Sequence, residues 1–313
     1  MAKNKPYRYV LYLLLELLCA IILILPRKIN YLIASFIGFS AFWLLRKERV
    51  RTVEHLKEAF GSEKTDQEYL KIGKHVFIHL AQSMIDVLCF PKLNRKRIEE
   101  LVHNEAGNEK LDRALKNGKG VIALTGHIGN WELLASYFRF LDYPGSLMGR
   151  RIYYEPFNQV LVRLREKGLV STIYRDESPR KVITQLKANH VIGISADQDI
   201  DSLEGTFVSF FGRPAWTPLG PAKLAITTGA AMVPAFMIHE DDHYRLYLEE
   251  PIFPPQNMTK ENAVKFLTEK WSEAVEKYIR KFPDQWVWMH NRWKTKDYMN
   301  QKNENEHFEQ VAS

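Results

Sequence analysis

The chain is poor in cysteine: 313 residues hold two, Cys19 and Cys89. Neither their number nor their spacing allows a disulfide framework or a cysteine-based metal site. The sequence also lacks a P-loop and any G-x-G-x-x-G after an apolar run, which excludes the usual phosphate-cradling and dinucleotide-binding loops. Internal repeats are absent, which excludes a solenoid. Asp197, Asp199 and Asp201 have no histidine at ligand spacing, so no metal and no cofactor is expected.

What charge there is lies unevenly. The net charge is +7, and residues 1–60 carry ten Lys or Arg against four Glu, leaving the rest of the chain nearly neutral. A nucleic-acid protein would spread basic residues over its folded domain; here they flank apolar segments, so a membrane surface is the expected partner and nucleic acid is not. From Tyr9 to Leu25 the chain is apolar apart from Glu16. As a helix this run reaches about 25 Å, marginal for a span. It ends in Leu25-Pro26-Arg27-Lys28 without a small-residue cleavage pattern, so a retained anchor is expected rather than a signal peptide. A second apolar run, Ile29 to Leu45, is followed by Arg46-Lys47. A two-span hairpin would put Arg27 and Lys28 opposite the other basic clusters, against the positive-inside tendency. The second run is therefore expected to lie in the membrane interface or to pack under the following domain.

From residue 47 the pattern is globular. Glu48–Phe60 and Asp66–Phe90 read as helices, the second with Tyr69, Ile72, Val76, Phe77 and Leu80 at helical spacing, most simply a core stripe. Beyond Asn108, helices and strands alternate: strands at 121–125, 146–148, 171–174, 191–196, 231–238 and 244–250, with helices at 111–116, 131–141, 157–167, 179–188, 218–228 and 260–282. This implies an α/β layered domain with a mainly parallel central sheet flanked by helices, preceded by N-terminal membrane-anchoring helices. Three regions follow: an anchor with an interfacial helix over 1–46, a catalytic domain over 47–296, and a polar tail over 297–313 whose composition predicts disorder.

Gly126-His127-Ile128-Gly129-Asn130-Trp131-Glu132 follows the strand at 121–125 and opens the next helix. His127 thus falls at a strand-to-helix turn, Asn130 is a good N-cap and a candidate substrate contact, and Glu132 lies in the first helical turn near the positive end of the dipole. An imidazole that takes a proton from an alcohol or amine, oriented by a carboxylate, is the chemistry this spacing suits. A hydrogen-bonded loop histidine would give the same spacing, so this match alone is weak. If the strands are parallel, Arg150 and Arg151, then Arg175, then Asp197, Gln198 and Asp199 reach the same sheet edge from three further strand ends. Guanidinium groups there would suit phosphate or carboxylate, while Asp197 or Asp199 is expected to order loops and arginines around the cleft.

Gly126–Glu132 resembles the HXXXXD/E motif of the lipid A biosynthesis acyltransferases, within the wider glycerolipid acyltransferase superfamily. Similar segments follow in order: Ala196–Asp199; Phe210–Ala215 with Thr217-Pro218; Thr228–Ala230 with Val233-Pro234; and Trp288–Thr295. Where many members show an Arg-Pro, or an Arg followed closely by Asn-Pro, this chain has Arg150-Arg151-Ile152-Tyr153-Tyr154-Glu155-Pro156-Phe157-Asn158, which leaves open which arginine meets substrate. The resemblance implies a membrane-bound acyltransferase that moves a fatty acyl group from an acyl carrier protein thioester to a hydroxyl of a lipid A precursor. His127 would be the base and Glu132 its orienter, on the cytoplasmic face of a bacterial inner membrane. The alternatives are a lysophospholipid, glycolipid or aminolipid acceptor, or a membrane-anchored lipid-binding protein without turnover.

Overall fold

The computed structural model describes residues 6–104 and 106–295; the polar tail lies outside the described residues. In chain order the elements are α1 (Pro6–Ile24), α2 (Arg27–Leu44), α3 (Arg46–Phe60), α4 (Asp66–Leu88), α5 (Arg95–Leu101), β1 (Val102–His103), α6 (Glu109–Leu115), β2 (Val121–Thr125), α7 (Trp131–Phe140), β3 (Gly145–Gly149), α8 (Glu155–Lys167), β4 (Ser171–Tyr174), α9 (Pro179–Lys187), β5 (Val191–Ser195), β6 (Gly205–Phe210), β7 (Arg213–Pro218), α10 (Gly220–Thr228), β8 (Ala231–Glu240), β9 (His243–Leu248) and α11 (Lys260–Lys281).

All five residues of β2 are buried, as a strand covered by helices on both faces requires. It lies central in a seven-stranded sheet of order β1-β9-β8-β2-β5-β3-β4. Every pairing is parallel except β8 with β9. The C-terminal ends of β2, β3, β4 and β5 therefore meet at one edge, the edge at which such sheets bind ligands. The expected α/β class and mainly parallel sheet are observed, with element ends shifted by one or two residues at most places.

The hairpin β6–β7 is an addition to the expected elements. Its two-residue turn is Phe211-Gly212, both at positive φ (54° and 71°). A bulky residue in the left-handed region hides the turn from a search for Asn-Gly or Asp-Gly. Phe211 is held there by its backbone N–H, which donates to Glu276 Oε2 at 2.7 Å, and by edge-to-face packing on Phe60 and Trp288.

At the N-terminus, α2 turns Asn30, Ala34, Gly38 and Phe42 inward at intervals of four onto α4. Gly38 permits this approach: a Cβ there would stand 2.6 Å from Ile78 Cα and from the Phe77 carbonyl oxygen. Tyr69, Val76 and Phe77 of α4 join Phe42 in the core, so the aromatic stripe is core packing. The opposite side of α2 exposes Leu32, Phe36 and Trp43. The expected packing of this segment under the domain is thus observed, and its outer face is apolar and exposed. Among the described residues, α1 over Tyr7–Ile24 is the helix long and apolar enough to cross a membrane.

Candidate active site

Parallel pairing of β2 with β5 sets Thr125 level with Ser195. Two residues beyond each stand His127 and Asp197, and the register carries them side by side. His127 Nδ1–H donates to Asp197 Oδ1 at 2.7 Å, and the His127 backbone N–H donates to Oδ2 at 2.7 Å. A carboxylate only accepts, so the shared proton sits on Nδ1, and in the neutral ring Nε2 carries the lone pair. The Trp286 indole N–H donates to the same Oδ2 at 2.7 Å. Three donors thus satisfy a carboxylate that is 1% exposed.

The loop that carries His127 is fixed from behind. Gly129 N–H donates to the Gln285 carbonyl at 3.0 Å, and Val287 N–H donates to the His127 carbonyl at 3.1 Å. Gly129 has φ +60°, and a Cβ there would fall 2.0 Å from the Met237 carbonyl oxygen, so only glycine fits. Asn130 caps α7 as expected: its Oδ1 accepts from Leu133 N–H at 3.0 Å. Its side chain is buried, with the amide reaching toward Tyr244 Oη at 3.3 Å, so it shapes the turn without lining the cleft.

Glu132 stands elsewhere than its assigned role required. Its carboxylate is gripped by Arg165 of α8, with Nε to Oε2 at 2.8 Å and Nη2 to Oε1 at 2.6 Å. Arg165 also donates to Thr172 Oγ1 at 3.2 Å. Among the described residues no hydrogen bond joins Glu132 to His127. The group against the imidazole is Asp197, and Glu132 acts on it only as a nearby negative charge. Arg165 takes up both oxygens of Glu132, whereas the β2–β5 register brings position 197 beside the ring.

Burial disfavours the imidazolium, but the charge and hydrogen bond of Asp197 outweigh it, with Glu132 adding to them; His127 is held above the ordinary histidine range. Burial would raise Asp197, yet the His127 contacts and the Trp286 bond hold it well below the usual carboxylate range. A second imidazole, His290, stands with its ring 5.5 Å from that of His127. Gln198 bridges them, its amide nitrogen 3.3 Å from His127 Nε2 and 2.6 Å from His290 Nε2. Burial, and then the neighbouring His127 charge, push His290 down.

A cavity of about 1000 Å³ opens at this edge, and His127, Glu132, Arg150, Arg175, Gln198 and Asp199 all line it. Arg150 and Arg175 are exposed, and among the described residues their guanidinium groups make no ion pair or hydrogen bond. Arg151 turns aside and lies 4.0 Å over the Tyr174 ring. Asp199 accepts from the Thr295 backbone at 2.8 Å and from its hydroxyl at 2.7 Å, so it orders the C-terminal segment; neither it nor Asp197 binds an arginine. Among the described residues no group of three or more His, Cys, Asp or Glu is arranged to hold a metal.

Arg165, Trp286 and His290 belong to this constellation and were not singled out individually from sequence. His290 sits inside the Trp288–Thr295 segment and Trp286 two residues before it, so that segment marked the region without its partners. Arg165 carried no local signal. Arg292 of the same segment is 1% exposed and donates to Trp216 O at 2.5 Å and Thr217 Oγ1 at 2.6 Å, which ties the segment to β7; burial pushes its pKa down to about 10.

The chain is similar to several known acyltransferases. Phosphatidylinositol mannoside acyltransferase of Mycobacterium tuberculosis H37Rv is 26% identical over 213 residues. That alignment takes in 66% of each protein, so the chain spans just under two thirds of that relative. The lipid A biosynthesis palmitoleoyltransferase of Escherichia coli K12 is 24% identical over 286 residues, 87% of each chain. The lauroyltransferase of the same organism is 24% identical over 285 residues, again 87% of each. A family model described as bacterial lipid A biosynthesis acyltransferase matches residues 2–295, and the chain belongs to that family.

Proposed function

We propose that this protein transfers a fatty acyl group from a thioester, carried by acyl carrier protein, to a hydroxyl of a lipid A precursor at the cytoplasmic face of the inner membrane. The observation that carries the mechanism is the His127–Asp197 pair, with His127 lining the cavity; in the neutral ring Nε2 is the free base. His127 Nε2 takes the hydroxyl proton as the oxygen attacks the thioester carbonyl, and Asp197 stabilises the imidazolium. The tetrahedral oxyanion then collapses, the C–S bond breaks, and the thiolate leaves with the proton returned from His127. First-turn N–H groups of α7 and the Gln198 amide supply donors for the oxyanion. Arg150 and Arg175 meet an anionic group of the substrate, for which two unpaired guanidinium groups at a cavity mouth are suited. Glu132 and Arg165 keep α7 and α8 in place around the base.

The test is a purified full-length chain supplied with a thioester donor and a lipid hydroxyl acceptor, with products weighed by mass spectrometry. Gain of one acyl group is expected. His127→Ala should lower turnover by roughly 10² to 10⁴-fold at an unchanged thermal transition. Parent-level turnover in that folded variant eliminates the mechanism, and parent protein without turnover on any acceptor favours a lipid-binding role. A mannosylated glycolipid is the second acceptor to try, because the mycobacterial relatives bear that name.

A further inference from the structure

The only acidic residue of α1, Glu16, lies near the middle of the helix, and the folded domain holds it there. Arg163 Nη2 of α8 donates to both carboxylate oxygens, at 2.9 and 2.7 Å. Further contacts run along the whole helix. Near its start, the Arg8 guanidinium lies 5.7 and 5.9 Å from the rings of Tyr153 and Tyr154. Toward its end, Cys19 and Ile22 are buried, and Asn30 Nδ2 donates to the Ile22 carbonyl at 2.9 Å. Lys92 Nζ reaches the Leu25 carbonyl at 3.3 Å.

These contacts argue against a span, although the helix is long and apolar enough for one. A helix crossing the bilayer would carry Glu16 to the hydrocarbon centre, where an ionised side chain is costly. To keep its partner it would draw in α8, which bears Glu155, Arg163, Arg165, Glu166 and Lys167. Yet α1 also shows solvent a row of large apolar side chains: Leu13 is 48% exposed, Leu17 57% and Ile24 83%. The outer face of α2 does the same, with Leu32 71% and Phe36 72% exposed. Lys28 at one end of α2 and Arg46 and Lys47 just past the other are exposed, and Arg49 lies 5.1 Å over the Trp43 ring. An apolar face with cations at both ends is the pattern of a helix lying in the plane of an anionic leaflet.

We propose that α1 and α2 form a monotopic dock: both lie flat on one leaflet of an anionic bilayer, clamped to the catalytic domain through Glu16–Arg163, and neither crosses. The loop that Arg8 touches at Tyr153 and Tyr154 also carries Arg150 at the cavity mouth. The dock therefore sets the mouth beside the leaflet, and a lipid acceptor reaches His127 without leaving the membrane. This last consequence rests on the acyltransferase reading; the dock itself does not.

The test uses the full chain in sealed vesicles with the catalytic domain outward, an epitope tag ahead of Met1, and single cysteines from Lys28→Cys or Arg46→Cys in a Cys19→Ala, Cys89→Ala background. Protease added outside should remove the tag, and an impermeant maleimide should label both cysteines as fully as after detergent. Protection of the tag until detergent is added means that α1 spans, and protection of the cysteine at position 46 means that α2 spans; either overturns the dock. Should the background misfold, the tag digestion in the unmodified chain decides alone. Acyl transfer measured on the same vesicles separates the two proposals: turnover with a protected tag removes the dock only, and a digested tag without turnover removes the acyltransferase reading only.

Discussion

A single histidine is positioned by a residue seventy places away, and this decides what its variants should do. Because Asp197 holds His127 above the ordinary histidine range, near 6.5, the rate should fall on the acid side of a pKa higher than that value, as the base becomes protonated. Asp197→Asn removes the raising charge while burial, which disfavours the imidazolium, remains. The acid limb of kcat/KM should then move to lower pH, and the plateau should drop roughly 10²-fold or more. An unmoved acid limb would show that Asp197 does not tune the base. Glu132 should behave differently, since it and Arg165 are both about nine-tenths buried. Breaking such a pair from one side leaves an uncompensated charge and costs about 3–5 kcal/mol. Glu132→Gln should therefore show mainly as a lower denaturation midpoint, with a smaller move of the acid limb to lower pH than Asp197→Asn gives, since Glu132 is the lesser of the two charges that raise His127. His127, Asn130, Arg150, Arg175, Asp197, Gln198 and Asp199 were all legible in the sequence as candidates, because each follows an apolar strand. The pairing among them was not. An i, i+5 spacing ignores where a helix directs its first turn, while the 125-to-195 register that joins His127 to Asp197 exists only once the sheet is assembled.

Among the elements, those with a clear period were the ones legible beforehand. The strands at 121–125 and 171–174 were recovered residue for residue, because both are short, rich in β-branched or aromatic residues and bounded by turn or loop residues. The hairpin β6–β7 escaped because its turn places Phe211 at positive φ, and β1, at two residues, is too short to show a period. The 285–288 stretch carries little periodicity, yet it closes the back of the His127 loop through Gly129 and Val287. Its importance can be read at Gly129, where any side chain would run into the Met237 carbonyl. Gly129→Ala should displace the turn, lower turnover at least tenfold, and reduce the thermal midpoint by several degrees, since a positive-φ position and a backbone clash act together. Full activity and stability in that variant would mean that the loop tolerates a different path between β2 and α7.

At the scale of the whole molecule the charge is divided between the two halves of its function. Six of the seven net positive charges fall in the first 60 residues, and the remainder of the chain is nearly balanced. In the proposed dock, long-range attraction to an anionic leaflet would come from these first 60 residues, while the rest of the chain offers local cations such as Arg150 and Arg175 at the cavity mouth. The two should separate by experiment. Replacing both Arg150 and Arg175 with alanine should raise the apparent KM for an anionic acceptor and leave vesicle binding unchanged. Replacing Arg46 and Lys47 with glutamine should weaken vesicle binding and leave turnover on a detergent-solubilised acceptor unchanged. Each basic side chain near an anionic surface contributes about 1 kcal/mol, so the double variant should lose roughly 2 kcal/mol, on the order of 30-fold in partition to anionic vesicles at low salt. The deficit should shrink as ionic strength rises, because exposed charges are screened over about 8 Å at 0.15 M. Binding to neutral vesicles should be unaffected, since the outer faces of α1 and α2 supply that part through apolar burial. Equal loss on neutral and anionic vesicles would instead mean that Arg46 and Lys47 support the fold of the α2–α3 corner and take no part in holding the lipid surface.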